Sequence, residues 1–331
     1  MKAVVVREFA AFDKVAMGEM PDPQPGPGEI VIDVRAVEVN YPDILVIAGS
    51  YQFKPPLPFS PGKAAAGIVS AVGENVSEFV IGERVSAQVE YGAYAQKLRA
   101  QALNVFHIPA GVSFANAAAL GLVYQTSHFA LMERARMQPG GRVLVLGASG
   151  GIGVASVQLA KALGASTIIA GVLGKSNVEI ARRNGADTVL DLASMNLHDG
   201  MREGVRAATA GHGVDVVIDP VGGAANSAAL RAMAWRGRMV IIGFASGEIP
   251  AFKANYLLVK NIEVSGLQWS DYRDRMPDSV RRVQGEIFQL HLAGKINPVI
   301  GRIFPLDQFK DALALLRDGK AQGKLILAID S

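Results

Sequence analysis

Apolar residues follow two different periods along this chain, and the clearer pattern lies in its middle part. Residues 143–146 form an unbroken apolar run, which is typical of a parallel strand covered on both faces. A glycine-rich turn follows, and then apolar side chains recur at helical spacing from Ile152 to Leu163, where Gly164 ends the pattern. A second apolar segment, 167–170, comes next. The pattern predicts strand, turn, helix and strand in a parallel sheet.

The same alternation of strands and helices continues to about residue 269. It predicts strands at 143–146, 167–170, 188–190, 214–218, 238–242 and 262–267. It predicts helices at 152–163, 177–183, 198–208 and 224–233. Six parallel strands with crossover helices make a doubly wound α/β sheet.

The first part of the chain is instead rich in short strands broken by glycine and proline. The predicted strands are 2–7, 29–39, 64–72, 82–85, 92–96 and 104–109. Helices are predicted at 44–48, after the N-cap Ser113, and at 125–137. From about residue 270 the predicted elements are a helix (279–292), a strand (298–304), a helix (306–316) and a strand (324–329). We expect a strand-rich, partly open barrel of residues 1–122 and 270–331, with residues 123–269 inserted as the nucleotide-binding domain.

The glycine-rich turn has the spacing of a dinucleotide fingerprint. Ala148, Gly150 and Gly153 occupy its three positions, with alanine where the first glycine usually stands. Backbone N–H groups at a helix N-terminus meet the charge of a pyrophosphate, so residues Ser149, Gly150, Gly151, Ile152 and Gly153 are predicted to bind cofactor. The alternative is an ordinary strand–turn–helix without a ligand. The strand before the turn, and the helix and strand after it, favour the cofactor.

The end of the second predicted strand indicates which dinucleotide binds. Sites for NAD place an acidic residue there to hold the ribose 2′-hydroxyl. This chain has no acid in the segment, which contains Gly171, Lys175 and Ser176. Lys175 supplies a point charge for a 2′-phosphate and Ser176 a hydroxyl. The prediction is NADPH; the alternative is that Lys175 is only a solvated loop lysine.

Composition narrows the class of protein. The chain has 331 residues, half of them hydrophobic, which favours two domains. A net charge of +3 without a long basic cluster gives no reason to expect nucleic acid. No apolar run approaches the ~20 residues of a membrane span, and the N-terminal apolar stretch is short for a signal peptide, so we expect a cytoplasmic enzyme. With no cysteine and five scattered histidines, we expect no metal.

Several motifs together resemble one known family. They are residues 35–40 with Asp43, 49–51, 61–62, 67–69, 72–73, 82–85, 147–153, 158–160, 164–165, 185–186 and 323–324. In these motifs and in its order of domains the chain is similar to the zinc-free quinone oxidoreductases, the ζ-crystallin-like branch of the medium-chain dehydrogenase/reductase superfamily. The resemblance implies a Rossmann nucleotide-binding domain inserted into a GroES-like domain, and a homodimer paired through residues 262–267.

The resemblance also implies roles for individual residues. Cofactor contacts are expected from Thr126 near the nicotinamide, from Lys324, and from the loop after the fifth predicted strand, namely from Gly243, Phe244 and Ser246. The acceptor is expected to meet Asn40, Asp43 and Tyr51. Hydride addition to a quinone or enone makes an oxyanion, and a neutral donor such as the Tyr51 hydroxyl stabilises or protonates it without a metal. Asp43 is equally interpreted as a helix N-cap and Tyr51 as a packing residue.

The chain departs from the family pattern at three positions. Zinc-dependent relatives carry His and Glu after the glycine that matches Gly62, where this chain has Lys63 and Ala64; we interpret Lys63 as a surface lysine. Relatives often have Tyr where this chain has Leu192. Because related enoyl-thioester reductases share most of these motifs, an NADPH-dependent enoyl- or acryloyl-thioester reductase is one alternative. Ala64 and Leu192 leave open a second, a weakly active NADPH-binding structural or sensor protein. A zinc alcohol dehydrogenase is the least favoured reading.

Overall fold

The computed structural model describes residues 1–329, which divide into two compact units. The first unit comprises residues 1–122, 270–292 and the chain from 298 onward. The second comprises residues 123–269 and 293–297. The segment 293–297 had been predicted with the first domain. No helix in the described part of the chain is long and apolar enough to cross a membrane.

The elements follow in chain order. Before the second unit they are β1 (Lys2–Val5), β2 (Ala16–Glu19), β3 (Glu29–Val39), α1 (Tyr41–Ile47), β4 (Ala64–Val72), β5 (Arg84–Gln88), β6 (Lys97–Gln101), β7 (Val105–His107) and α2 (Phe114–Ala119). The next are α3 (Leu122–His128), β8 (Arg142–Leu146), α4 (Gly151–Ala162), β9 (Thr167–Val172), α5 (Val178–Arg183), β10 (Thr188–Asp191), α6 (Leu197–Ala208), β11 (Val214–Asp219), α7 (Gly223–Ala232), β12 (Met233–Ile241), α8 (Ala254–Lys260) and β13 (Glu263–Gly266). The last are α9 (Trp269–Arg275), α10 (Pro277–Leu292), β14 (Ile300–Pro305), α11 (Phe309–Arg317) and β15 (Lys324–Ala328).

The first unit is built around the long strand β3. The sheet runs in the order β14-β15-β3-β4-β5-β7, and β6 also pairs with β3. The first half of β3 pairs with β6 and the second half with β15, with an irregular register towards β4 between Val34 and Ala36. A strand that is bulged and changes partner along its length curls the sheet, which gives the partly open barrel. Its core includes the fully buried rings of Phe59, Tyr94 and Phe304.

The second unit contains a six-stranded, fully parallel sheet in the order β10-β9-β8-β11-β12-β13. The order reverses between β8 and β11, which is the switch point where doubly wound sheets bind ligands. The apolar residues of β8 from Val143 to Leu146 have no exposed surface. This burial explains why the strand is apolar without alternation.

The elements differ from the predictions in a few places. The strand predicted at 92–96 is wrong: Ala95 makes only an isolated bridge to Ala3, and the strand lies at β6 instead. The helix predicted at 125–137 starts earlier, as α3, and continues as a π-helical segment, Phe129–Arg134. Strand β2 and helices α8 and α9 were not predicted. Helix α8 has no buried residue, so its sequence has no apolar periodicity that would predict a helix.

Candidate active-site residues in the two units

The glycine-rich turn of the second unit connects β8 to α4. Gly147 has a φ of +61°, which is a left-handed conformation that favours glycine. The Gly150 N–H donates to the Gly147 carbonyl at 3.0 Å, and the Ala148 N–H donates to the Gly171 carbonyl at 3.1 Å. The turn is therefore fixed both to itself and to the end of the neighbouring strand β9.

Helix α4 packs against this turn at Gly153. A Cβ at Gly153 would lie 2.1 Å from the Gly147 oxygen and 2.5 Å from the Ala148 Cα, both backbone atoms. A side chain is therefore excluded, and the helix N-terminus lies close to the strand end. At Gly150 the nearest atom to an added Cβ is 3.5 Å away, so glycine there does not serve packing within the protein.

The start of α4 presents backbone donors. The Val154 N–H makes the first bond of the helix, to the Gly150 carbonyl at 2.8 Å. The N–H groups of Gly151, Ile152 and Gly153 precede it and have no intrahelical partner. Three such groups at a helix N-terminus, at the switch point of a doubly wound sheet, are the kind of donor set with which proteins bind an anion such as a pyrophosphate.

The loop after β12 lies beside the loop after β11. The Ala245 N–H donates to the Pro220 carbonyl at 3.1 Å, and the Ser246 N–H donates to the Val221 carbonyl at 3.0 Å. A Cβ at Gly147 would lie 3.0 Å from a methyl of Val221. The structure thus brings the fingerprint turn and the loop carrying Gly243, Phe244 and Ser246 to one edge of the sheet. Phe244 is 41% exposed there.

Asp219, which sequence reasoning missed, shapes the loop after β11. Its carboxylate has no exposed surface, and Oδ1 accepts from the N–H groups of Val221 at 2.8 Å and Gly222 at 2.9 Å. The signal was available: an acidic residue ends the predicted strand 214–218 and precedes a Pro-Val-Gly-Gly turn. It holds the β11 loop rather than offering a free charge.

The loop after β9 carries the predicted 2′-phosphate residues. Lys175 and Ser176 are exposed and lie in a short 3-10 turn. The Gly174 N–H donates to Asp191 Oδ1 at 2.8 Å, so a second missed carboxylate anchors this loop from the end of β10. Leu192 packs on Gly171, with a side-chain carbon 3.1 Å from the position of an added Cβ.

Thr126 lies on α3 and is buried. The adjacent Ser127 hydroxyl donates to the Ile152 carbonyl at 3.2 Å and accepts from the Ser156 hydroxyl at 3.0 Å. These bonds hold α3 against the first turns of α4. Thr126 therefore directly precedes, in sequence, a residue that contacts the fingerprint helix α4.

In the first unit, Asn40 and Asp43 belong to a buried polar network at the start of α1. The Asn40 N–H donates to Asp43 Oδ2 at 2.8 Å, and the Tyr94 hydroxyl donates to the same oxygen at 2.9 Å. Asn40 is the N-cap residue of α1, so the N-cap interpretation of Asp43 was wrong by three positions. Burial raises the pKa of Asp43 to about 6, although these two donors and the charge of Lys63 oppose the rise.

Lys324 joins this network from β15. Its ammonium donates to Asn40 Oδ1 at 2.8 Å and to the Val39 carbonyl at 3.2 Å, and lies 2.6 Å from Glu38 Oε1. Burial raises the pKa of Glu38, and the Lys324 charge opposes that shift. Two hydrogen bonds and one ion pair therefore engage the Lys324 ammonium.

Tyr51 lies in a second cluster of the first unit. The ammonium of Lys63 lies 4.5 Å from the centre of the Tyr51 ring and forms an ion pair with Glu90. Lys63 is only 4% exposed, so its interpretation as a surface lysine was wrong. Burial by itself raises the pKa of Glu90, but the charges of Lys63 and Arg273 hold it below its ordinary value.

Comparison with known proteins relates both units to oxidoreductases. Residues 26–125 match the family model described as alcohol dehydrogenase GroES-like domain, and residues 151–285 match the one described as zinc-binding dehydrogenase. The chain is 36% identical over 309 residues to quinone oxidoreductase-like protein 2 of Mus musculus, covering 93% of this chain and 87% of the relative. It is 30% identical over 345 residues to the human synaptic vesicle membrane protein VAT-1 homolog, covering 99% and 86%.

A solved structure gives the same result. The Escherichia coli quinone oxidoreductase complexed with NADPH superposes with a TM-score of 0.91 at 28% identity, over 99% of this chain and 100% of that one. The chain belongs to the zinc-free quinone oxidoreductase branch of the medium-chain dehydrogenase/reductase superfamily. The predicted fold class, a Rossmann sheet with a separate GroES-like domain, is confirmed.

The branch assignment agrees with the residues that follow Gly62. Lys63 forms an ion pair with Glu90, and Ala64, which lies in β4, has no side-chain group that binds metal. Among residues 1–329 no three His, Cys, Asp or Glu side chains are grouped so as to hold a metal ion. The protein is an oxidoreductase of this branch.

Proposed function

We propose that this protein transfers a hydride from NADPH to quinones or other electron-poor enones, without a metal. The observation that carries the proposal is the set of N–H groups without intrahelical partners at the start of α4, held at the switch point of a parallel sheet by the close packing at Gly153. The name of the mouse relative and the NADPH complex of the Escherichia coli enzyme support it.

The residues of the second unit fit this cofactor. The N–H groups of Gly151, Ile152 and Gly153 would hold the pyrophosphate, and the lack of a side chain at Gly150 would let its oxygens approach the backbone closely. Lys175 and Ser176 are exposed and would hold the 2′-phosphate. NADPH supplies the hydride when bound. Thr126, Gly171, Gly243, Phe244 and Ser246 are proposed as further cofactor contacts.

The residues of the first unit supply polar groups for the acceptor. Tyr51 is the proposed proton donor, because its hydroxyl protonates an oxyanion without carrying charge beforehand. Asn40 is proposed to orient the acceptor. Asp43 is proposed to position rather than to act as a base, since Oδ2 already accepts two hydrogen bonds and the side chain has no exposed surface. Lys324 is proposed as a cofactor contact in addition to its present partners Val39, Asn40 and Glu38.

The test measures NADPH oxidation with ortho- and para-quinones, simple enones and short enoyl thioesters, with NADH as the paired control. Turnover of quinones or enones with at least a tenfold preference for NADPH supports the proposal. Turnover confined to enoyl thioesters would replace it with the thioester reductase. Tight NADPH binding without turnover of any acceptor would contradict it and favour a sensor or structural role.

We further propose a homodimer formed through the edge of the parallel sheet. Strand β13 is the last strand of that sheet, and α8, which precedes it, leaves Leu258 78% and Val259 76% exposed. A second copy pairing along β13 would cover an edge and an apolar face that otherwise invite aggregation.

A further inference from the structure

Lys63 is a buried cation next to the residue proposed as proton donor. Its side chain is 4% exposed, and a lysine buried to this degree needs a partner for its charge. Glu90 provides that partner through Oε2. The Lys63 ammonium therefore has a fixed position, unlike a solvated lysine that samples many rotamers.

The partner is itself fixed. Glu90 Oε1 lies 2.9 Å from Arg273 Nη2, and the Arg273 side chain is 5% exposed. Asp274 accepts from Arg273 Nε at 2.8 Å and from Nη2 at 3.1 Å. A chain of ion pairs thus runs from Asp274 through Arg273 and Glu90 to Lys63, and its buried members restrain the ammonium from swinging away.

The fixed ammonium lies against Tyr51. Its nitrogen is 4.5 Å from the centre of the ring, within the distance at which a cation interacts with an aromatic face. The same cation also acts on the buried carboxyl of Asp43. Glu90 and Asp43 are thus two charged groups that interact with Lys63, and Arg273 is paired with the same Glu90.

We propose that Lys63 is a positioning residue for Tyr51: it holds the ring and stabilises the phenolate that remains when the hydroxyl gives up its proton. The inference rests on the proposed function for the identity of the proton acceptor. A quinone that has gained a hydride is a hydroquinone monoanion. The Tyr51 O–H bond breaks, the proton goes to that oxyanion, and the electron pair stays on the Tyr51 oxygen. Solvent then returns a proton to the phenolate.

The first test does not depend on turnover. The ultraviolet absorbance of tyrosinate is titrated in the parent protein and in Tyr51→Phe, and the difference isolates Tyr51. The same subtraction is made in a Lys63→Met background. We expect the Tyr51 titration midpoint to lie about 1–3 pH units higher without the cation. Equal midpoints in the two backgrounds would overturn the proposal.

Two further variants separate charge from folding. Lys63→Gln is neutral but still donates a hydrogen bond to Glu90, so it serves if the methionine variant fails to fold; its midpoint should move in the same direction. Lys63→Arg keeps the charge and should leave the midpoint within about half a unit of the parent, far below the 1–3 units that loss of the charge produces. The matched control is Lys54→Met, because the exposed Lys54 also lies over an aromatic ring, 6.0 Å from the centre of Phe9.

The second test uses a double-mutant cycle on kcat. Lys63→Met and Tyr51→Phe are each expected to lower kcat at least tenfold with the KM for NADPH within twofold, and the double variant should be no slower than Tyr51→Phe alone. If the fold reduction in kcat of the double variant equals the product of the two single reductions, the proposal is overturned, because Lys63 would then act independently of Tyr51. Absence of turnover in the parent would contradict the proposed function only, because the absorbance titration decides the role of Lys63 by itself.

Discussion

Gly153→Ala tests how closely α4 packs against the fingerprint turn. The added methyl would lie 2.1 Å from the Gly147 oxygen, whereas an ordinary van der Waals contact is 3.4–4 Å. Helix and turn would have to separate by about 1.3 Å to reach the shorter limit, the difference between 3.4 and 2.1 Å. The atoms in the way are backbone, so no side-chain rotation relieves the clash.

Two consequences follow, of measurable size. Overpacking of this kind costs about 1–3 kcal/mol, and the upper end applies where only backbone can yield. A loss of about 3 kcal/mol lowers the melting temperature of a unit of this size by about 6–12 °C. Because the N–H groups of α4 move with the helix, the Kd for NADPH should rise at least tenfold, which corresponds to about 1.4 kcal/mol.

The assay is thermal unfolding of the cofactor-free protein together with fluorescence titration of NADPH. Gly150→Ala is the matched control, since its φ of −82° suits alanine and the nearest atom to the new Cβ is 3.5 Å away. The control should melt within about 2 °C of the parent, although it reduces NADPH affinity if the pyrophosphate approaches Gly150 closely. A Gly153→Ala protein that melts and binds NADPH like the parent would refute the packing argument.

Three further predictions address the cofactor, the buried carboxyl and the oligomer. Lys175→Ala should raise the Kd for NADPH about threefold to tenfold and leave that for NADH unchanged, since it removes an exposed point charge; equal changes for both would contradict the 2′-phosphate role. The pKa of Asp43, about 6 when folded against 3.8 ordinarily, means that the folded protein binds this proton more tightly. Its contribution to stability therefore falls by about 3 kcal/mol in total as pH rises from about 3 to about 7, with most of the change between the two pKa values. The difference in urea stability between the parent and Asp43→Asn should change by that amount over this range, and a constant difference would show that the shift is absent. Leu258→Glu places a charge on the exposed face of α8 and should give a monomer by light scattering, and a parent protein that is already monomeric at micromolar concentration would rule out the dimer.

The sequence predicted most strands and helices correctly, because the apolar runs, turn residues and caps that mark each element lie within a few residues of one another. Strands β3 and β4 have the predicted bounds, because alternating or continuous apolar runs end at recognisable turns. Ser113 caps α2 as predicted, with its hydroxyl accepting from the Asn116 N–H at 3.1 Å. The fingerprint was readable because the tight turn and the close helix packing both demand glycine in a fixed spacing.

The sequence did not predict which side chains pair with the buried charged residues. Lys63 follows a proline–glycine turn, which is the setting of a surface residue, and nothing near it in sequence marks Glu90 or Arg273 as partners. Asp43 similarly meets Tyr94, 51 positions away, and Lys324 meets Asn40, 284 positions away. Asp191 anchors the loop of the predicted 2′-phosphate residues although it belongs to a different strand.

The sequence by itself determined where most of the strands and helices lie and that the central sheet is parallel, and it predicted a turn for a dinucleotide, because hydrophobic period and glycine spacing act over one or two turns of chain. Only the tertiary structure decided which polar side chains are buried together, and therefore that Lys63 faces Tyr51 and that Lys324 is already engaged. A charge removed from water must find a partner in space, and that partner is set by the packing of strands that are distant along the chain.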